Sequence, residues 1–223
     1  MALDGPGGAG KSTIARRLAE KLGFLYIDTG AMYRAVALWA QRQGTAWDNM
    51  QALEQLAIAA GIGLQSDPPR VTLNGEDVTE AIRTPEIAQG ASKVSAVAGV
   101  RRAMVAKQRE MAEESSVVME GRDIGTIVFP NADVKIYLDA EPAVRAERRR
   151  KELEQKAPPA PPQDSVLKEL NERDQRDKTR AEAPLMQAPD AILVDSTGLG
   201  IDEVEAKILE IIRRKTSNGS TFH

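Results

Sequence analysis

The stretch Gly5-Pro6-Gly7-Gly8-Ala9-Gly10-Lys11-Ser12-Thr13 sets a run of small and turn-forming residues directly before a lysine and two hydroxyls. Ordering so much free backbone costs conformational entropy, which a ligand or a close contact has to offset. Its neighbours give the context. Ala2-Leu3-Asp4 reads as a β-strand, while Ile14, Leu18 and Leu22 recur every fourth residue until Gly23 stops the pattern, so a helix follows the loop. Gly5 to Ser12 fits G-x-x-x-x-G-K-[ST] in full between a strand and a helix. There, backbone amides can wrap a phosphate and the helix adds the positive end of its dipole. Lys11 then reaches the β/γ-phosphates and Ser12 offers its hydroxyl to Mg²⁺. The motif names a nucleotide fold rather than a reaction, since GTPases, motor ATPases and metabolite kinases share it.

Outward from the loop, the chain alternates strands and helices. Phe24 to Ile27 reads as a buried strand and residues 31–39 as a helix; Ser116 to Met119, Val134 to Leu138 and Ala191 to Val194 are further strands. Helical stretches are expected at about 84–114, 141–154, 164–182 and 201–215, which together imply a parallel sheet wrapped by helices. Residues 67–84 break the rhythm: Asn74-Gly75, between Arg70-Val71-Thr72-Leu73 and Glu76-Asp77-Val78, is a hairpin signal. Lys156 to Pro162 is too rich in proline to continue a helix and reads as a stiff exposed connector. Residues 216–223 read as a polar tail. The first strand is short for a central one, about five residues being usual, so further native residues are expected ahead of it.

Composition narrows the chemistry. The 223 residues contain no cysteine, and the one histidine is His223, which excludes disulfides, thiolate catalysis, histidine-based triads and Cys/His metal sites. What remains is Lys, Arg, Asp, Glu, Ser, Thr and backbone amides, an inventory suited to phosphate chemistry. No apolar run approaches the ~20 residues of a membrane span and no signal peptide precedes the domain, so a soluble, cytoplasmic protein is expected. A net charge of −3 argues against a general nucleic-acid binder.

Moving a phosphoryl group onto a second phosphate forces two anions together, and arginine is the residue best suited to offset that repulsion. Arg34 follows Asp28-Thr29-Gly30-Ala31-Met32-Tyr33, and Arg122 lies in Glu120-Gly121-Arg122-Asp123 just past a strand end. A third set lies in Glu172 to Arg180, where Arg173, Arg176, Asp177 and Arg180 share one helical face, able to close over phosphates or to stay solvated as Asp–Arg pairs. Alternatives open at this point are another P-loop small-molecule kinase, such as one for a sugar acid, and a nucleotide-dependent regulatory module.

The segments GPGGAGKST, DTGAMYR, EGRDIGT and ERDQRDKTR, in this order across nearly the whole chain, resemble bacterial cytidylate kinases, members of the P-loop nucleoside monophosphate kinase family. The resemblance implies an α/β, three-layer P-loop kinase fold with a small β-hairpin insertion that binds the nucleoside monophosphate and a short lid. The implied division is core 1–60, insertion about 61–100, core 101–154, lid about 155–165 and core 166–215, ahead of the tail. It implies transfer of the γ-phosphoryl group of MgATP to CMP or dCMP by a monomer. ATP would lie on Gly5, Pro6, Gly7, Gly8, Ala9, Gly10, Lys11, Ser12 and Thr13, with Lys11, Arg122 and Arg173 catalytic. Thr29, Arg34, Ser92, Arg101, Arg122, Asp123, Arg173, Asp177 and Arg180 match positions lining the acceptor site. Where some members have aspartate before Gly-Arg-Asp, this chain has Glu120, a longer carboxylate that with Ser12 is expected to serve Mg²⁺.

Hydrogen-bonding chemistry makes sense of part of that assignment. Cytosine presents acceptors at O2 and N3 and a donor at its 4-amino group, matching donors at Ser92 and Arg101 and an acceptor at Asp123. Uracil reverses N3 and position 4. The acceptor phosphate then falls to Arg34, Arg122 and Arg173, and the ribose hydroxyls to Asp177 with Arg180.

Overall fold

The structure, a computed structural model, describes residues 1–156 and 158–217. Ala157 and residues 218–223, which include part of the expected connector and most of the tail, lie outside the described residues. Five parallel strands form the main sheet: β1 (Ala2–Asp4), β2 (Leu25–Asp28), β6 (Val117–Gly121), β7 (Lys135–Asp139) and β8 (Ile192–Asp195), in the spatial order β2-β6-β1-β7-β8. At three residues β1 is the short central strand its sequence suggests, and it pairs along its whole length with β6 on one side and β7 on the other.

Side-chain alternation along these strands divides the core. Leu3, Val118, Ile136, Leu138 and Val194 pack against Ile14 and Leu18 of α1 (Lys11–Leu22) and against Val204, Ile208 and Ile212 of α8 (Ile201–Ser217). Ala2, Ile27, Val117 and Met119 point the other way, onto a single wide helical turn at Ile124–Val128 and the apolar side of α5 (Ala98–Glu110). Helices therefore flank a parallel sheet on both faces, the α/β architecture expected of a P-loop kinase.

A second, antiparallel sheet contains β3 (Ile62–Ser66), β4 (Pro69–Leu73) and β5 (Glu76–Asp77). β4 and β5 form the hairpin at Asn74-Gly75, with both turn residues at positive φ. β3 is an addition that Gly63 conceals, because that glycine lies where a Cβ would be 2.5 Å from Thr72 Oγ1. This sheet shares one large apolar core with α2 (Thr29–Arg42), α3 (Met50–Ala59) and α4 (Pro85–Val94). The expected helical stretch 84–114 is two helices, α4 and α5. Ser95 ends the first by donating its hydroxyl to the Ser92 carbonyl, and Arg101 caps the break by donating to the Ser95 carbonyl at 3.3 Å.

The remaining helices, α6 (Pro142–Lys156) and α7 (Gln163–Thr179), pack on each other through Ala146, Val166 and Leu170, with Leu153 and Leu167 beside them. The loop from β1 into α1 is held tightly at its start: Gly5 has φ +147°, and a Cβ there would lie 2.0 Å from the Leu138 carbonyl oxygen of β7. At Gly10, φ is +93° and a Cβ would meet nothing within 4 Å. Gly10→Ala is therefore expected to cost about 1–2 kcal/mol of backbone strain, and Gly5→Ala several times more. Chemical unfolding of both variants checks this; equal losses would show that β7 does not fix the start of the loop.

Candidate active site

Parallel register brings distant sequence segments to one edge. Asp4 sits opposite Gly121, and Asp28 opposite Glu120, so the glycine-rich loop after β1, α2 after β2 and Arg122-Asp123 after β6 all leave the same carboxyl ends. The crevice lies where the chain steps from β1 across β6 to β2, the usual place for a ligand in an open parallel sheet.

On the loop, Lys11 is buried and its ammonium donates to the Pro6 carbonyl at 2.7 Å. Burial first, and then the neighbouring guanidiniums of Arg122 and Arg173, push Lys11 down to about 7, Glu120 opposing them. Ser12 and Thr13 are exposed at the start of α1. Glu120, buried at the end of β6, accepts from the Tyr26 hydroxyl at 2.8 Å and from Ser12. Burial and the Asp28 carboxylate raise it above the ordinary glutamate range.

The arginines converge on this edge, with α7 as the far wall. Arg122 donates through Nε to Asp177 at 3.0 Å and through Nη1 to the Gly121 carbonyl at 3.1 Å. Asp177 is buried; desolvation alone would raise its carboxyl, but the guanidiniums of Arg122, Arg173 and Arg180 together hold it below the usual range. Arg180 lies 3.5 Å from Asp123 and 3.7 Å from Asp177. Burial and Arg122 push Arg173 down to about 10. Among the described residues Arg173 makes no hydrogen bond or ion pair, and its Nε, like that of Arg34, is shielded from solvent without a partner. Arg34 donates its Nη2 to Asp28 at 2.9 Å. The helical face carrying Arg173, Asp177 and Arg180 is thus an inward wall.

Beyond the arginines, Asp123 and Arg101 form a buried ion pair, with the Arg101 guanidinium 5.7 Å from the centre of the Tyr33 ring. Ser92 is buried near them, and its Oγ accepts from Arg176 Nε at 3.2 Å, joining α4 to α7. Thr29 turns its hydroxyl to the Glu120 carbonyl at 2.7 Å, which ties the start of α2 to β6. The residues expected from sequence at the acceptor site are thus linked by contacts at one end of the sheet, and all but Arg173 are engaged by protein groups.

Sequence reasoning passed over Asp4, Arg145 and Asp174. Asp4 ends β1 and its carboxylate accepts from the amides of Ile124 at 2.8 Å and Gly125 at 2.7 Å, fixing the turn that presents Arg122 and Asp123. The only sequence signal was an acidic residue at a strand end directly before the loop. Arg145 and Asp174, both buried, join α6 and α7 to Gly7.

A parallel sheet in this order, with a phosphate-type loop after its central strand and a cluster of guanidiniums at the same edge, defines a P-loop kinase, a phosphotransferase. A family model described as Cytidylate kinase matches residues 1–214, and the chain belongs to the cytidylate kinase family. It is 62% identical over 223 residues to the cytidylate kinase of Solibacter usitatus (strain Ellin6076), across 100% of this chain and 95% of the relative. It is 48% identical over 212 residues to the cytidylate kinase of Pelotomaculum thermopropionicum, across 94% of this chain and 93% of that one. Among solved structures, an uncharacterized protein from Eubacterium ventriosum ATCC 27560 aligns with a TM-score of 0.54 at 11% identity, across 95% of this chain and 96% of that chain, a likeness of fold alone.

Asp4 gives a pH signature. Burial, the larger effect against its two amide bonds, pushes its carboxyl up to about 6 from 3.8. The folded chain then holds this proton more tightly than the unfolded chain. The associated stability is present below about pH 4 and is lost as pH rises through 6, by about 3 kcal/mol. Asp4→Asn, which stays neutral, is expected to lose this portion of the slope in urea unfolding between pH 4 and 6; profiles parallel to the wild type would contradict the assignment.

Proposed function

We propose that this crevice transfers the γ-phosphoryl group of MgATP in line to CMP or dCMP, giving ADP and CDP or dCDP, in pyrimidine nucleotide metabolism. The observation that carries the reading is Arg173, a guanidinium without a partner beside Arg122 and Lys11. Like charges crowded this way cost energy in the free chain and are relieved only by anions, and phosphates at the mouth of the loop are the anions that fit.

ATP takes the loop from Gly5 to Thr13, with Lys11 on its β/γ-phosphates. The acceptor phosphate takes Arg34, Arg122 and Arg173, of which the first and last hold unpartnered Nε groups. An oxygen of that phosphate attacks the γ-phosphorus as the bond to the β–γ bridging oxygen breaks, and ADP leaves. The attacking oxygen is already anionic, so no general base is needed; alignment, charge stabilisation and exclusion of water supply the rate. Asp177 with Arg180 holds the ribose hydroxyls.

Ser12 and Glu120 are the residues for Mg²⁺. They form an oxygen-only donor set beside Asp28, and the raised Glu120 carboxyl is in a setting that a dication would relieve. Held by these residues, the ion would supply positive charge to offset that of the phosphates.

For the base, the Arg101–Asp123 pair sets a donor and an acceptor side by side, with Ser92 as a second donor. That order complements cytosine and opposes uracil. The lid at about 155–165, the insertion at about 61–100 and action as a cytoplasmic monomer belong to the same proposal.

The experiment is an ADP-release assay with CMP, dCMP, UMP, AMP or no acceptor. Rapid turnover with CMP and dCMP, and little without acceptor, is expected; equal signal with and without CMP would overturn the reading. In the same assay Asp123→Asn is expected to cut the CMP-over-UMP preference about 10-fold or more, because an amide can donate to the uracil carbonyl. An unchanged ratio would remove Asp123 from base recognition.

A further inference from the structure

We propose that Asp174 is a positioning residue: through Gly7 and Arg145 it docks α7 onto the glycine-rich loop and so sets where Arg173 meets the reacting phosphates. The inference rests on the phosphotransfer reading above. Asp174 Oδ1 accepts from the Gly7 amide at 3.1 Å, and Oδ2 accepts from Arg145 Nη1 at 2.5 Å. The same Nη1 donates to the Gly7 carbonyl at 2.8 Å, while Arg145 Nε donates to the Ala140 carbonyl at 3.0 Å. Gly7 is thus held at its N–H by α7 and at its C=O by α6. Leu170 Cδ2, from the same helix as Asp174, closes over it, 3.1 Å from where a Cβ of residue 7 would lie.

The contacts assign this hook to positioning rather than to substrate binding. Arg145 and Asp174 are both buried, and each carboxylate oxygen of Asp174 is engaged by protein. A lone carboxylate there would repel a triphosphate, and pairing with Arg145 removes that effect. Gly7 N–H, bound to Asp174, serves as the docking point of α7. Arg173 is the residue directly before it on α7 and makes no hydrogen bond or ion pair of its own among the described residues. Asp177, one turn onward, carries Arg122. Misplacing reacting groups by about 1 Å can cost 10²-fold in rate, so the hook is expected to act on kcat.

The test uses the full chain. Asp174→Ala removes the hook, Asp174→Asn keeps its shape without the charge, and Arg145→Met with Asp174→Leu removes both charges, so that no buried charge is left alone if the single variants unfold. Steady-state kinetics are combined with hydrogen exchange of the chain without nucleotide. For Asp174→Ala the expected results are a kcat with CMP about 100-fold lower, KM values for ATP and CMP changed less than about 3-fold, and a larger share of ADP formed without CDP. The α7 amides should exchange about 10-fold faster while β1 and β6 keep their protection. Asp174→Asn should fall between, and the double variant should lose no more than the alanine variant. An unchanged kcat in the folded variants, unchanged α7 exchange, or a higher KM for ATP at full kcat would each overturn the proposal. A wild-type chain making no CDP would instead sink the phosphotransfer reading, with the exchange data still deciding the docking.

Discussion

The mutual repulsion of Lys11, Arg122 and Arg173 is the constraint around which this site is organised. Arg122 and Arg173 both disfavour the charge on Lys11, and Arg122 disfavours that on Arg173. Such a cluster costs energy in the free chain, and the surrounding carboxylates offset only part of it. Asp177 balances Arg122, Asp123 balances Arg101, and Asp28 balances Arg34, while Arg173 makes no ion pair among the described residues and feels only the Asp177 charge that Arg122 already engages. The deficit lies where two phosphates would meet, so unfavourable electrostatics of the free protein become favourable on binding.

Holding cations together needs a rigid frame, which the sheet supplies. β1 is paired on both sides, so its carboxyl end cannot move without β6 and β7, and Asp4 extends the coupling to the turn after β6. Gly5 presses against the Leu138 carbonyl at the loop's start, and Asp174 with Arg145 grips Gly7 two residues later. α7 then serves both halves of the crevice: Asp174 faces the loop, Asp177 takes Arg122, and Arg176 reaches Ser92 on α4. This arrangement carries Arg173 on, and pairs Arg122 with, a helix that is fixed to the glycine-rich loop.

Local spacing made much of this readable from the chain. The loop, the following helix, the Asn74-Gly75 hairpin and the strand before Arg122 each depend on neighbours a few residues apart, and each stands where the residues indicate. The acidic and basic run 172–180 was ambiguous because a solvated face and an inward wall have the same composition; burial of Asp174 and Asp177 decides it. What stayed hidden depends on long-range pairing. Asp174 meets Gly7 across 167 residues and Asp4 meets Ile124 across 120, and no periodicity encodes either contact. β3 was missed because Gly63 weakens its strand pattern for the sake of Thr72, and the break between α4 and α5 because its cap comes from the Arg101 side chain.

The central claim is that the unpaired positive charge in the crevice is built for a phosphate carried by the nucleoside. Titration calorimetry of the full chain at pH 7 with CMP and with cytidine isolates that phosphate, since the two ligands differ in nothing else. CMP is expected to bind at least about 100-fold more tightly, about 3 kcal/mol, and to lose most of that advantage in high salt. Equal affinities for CMP and cytidine would contradict it.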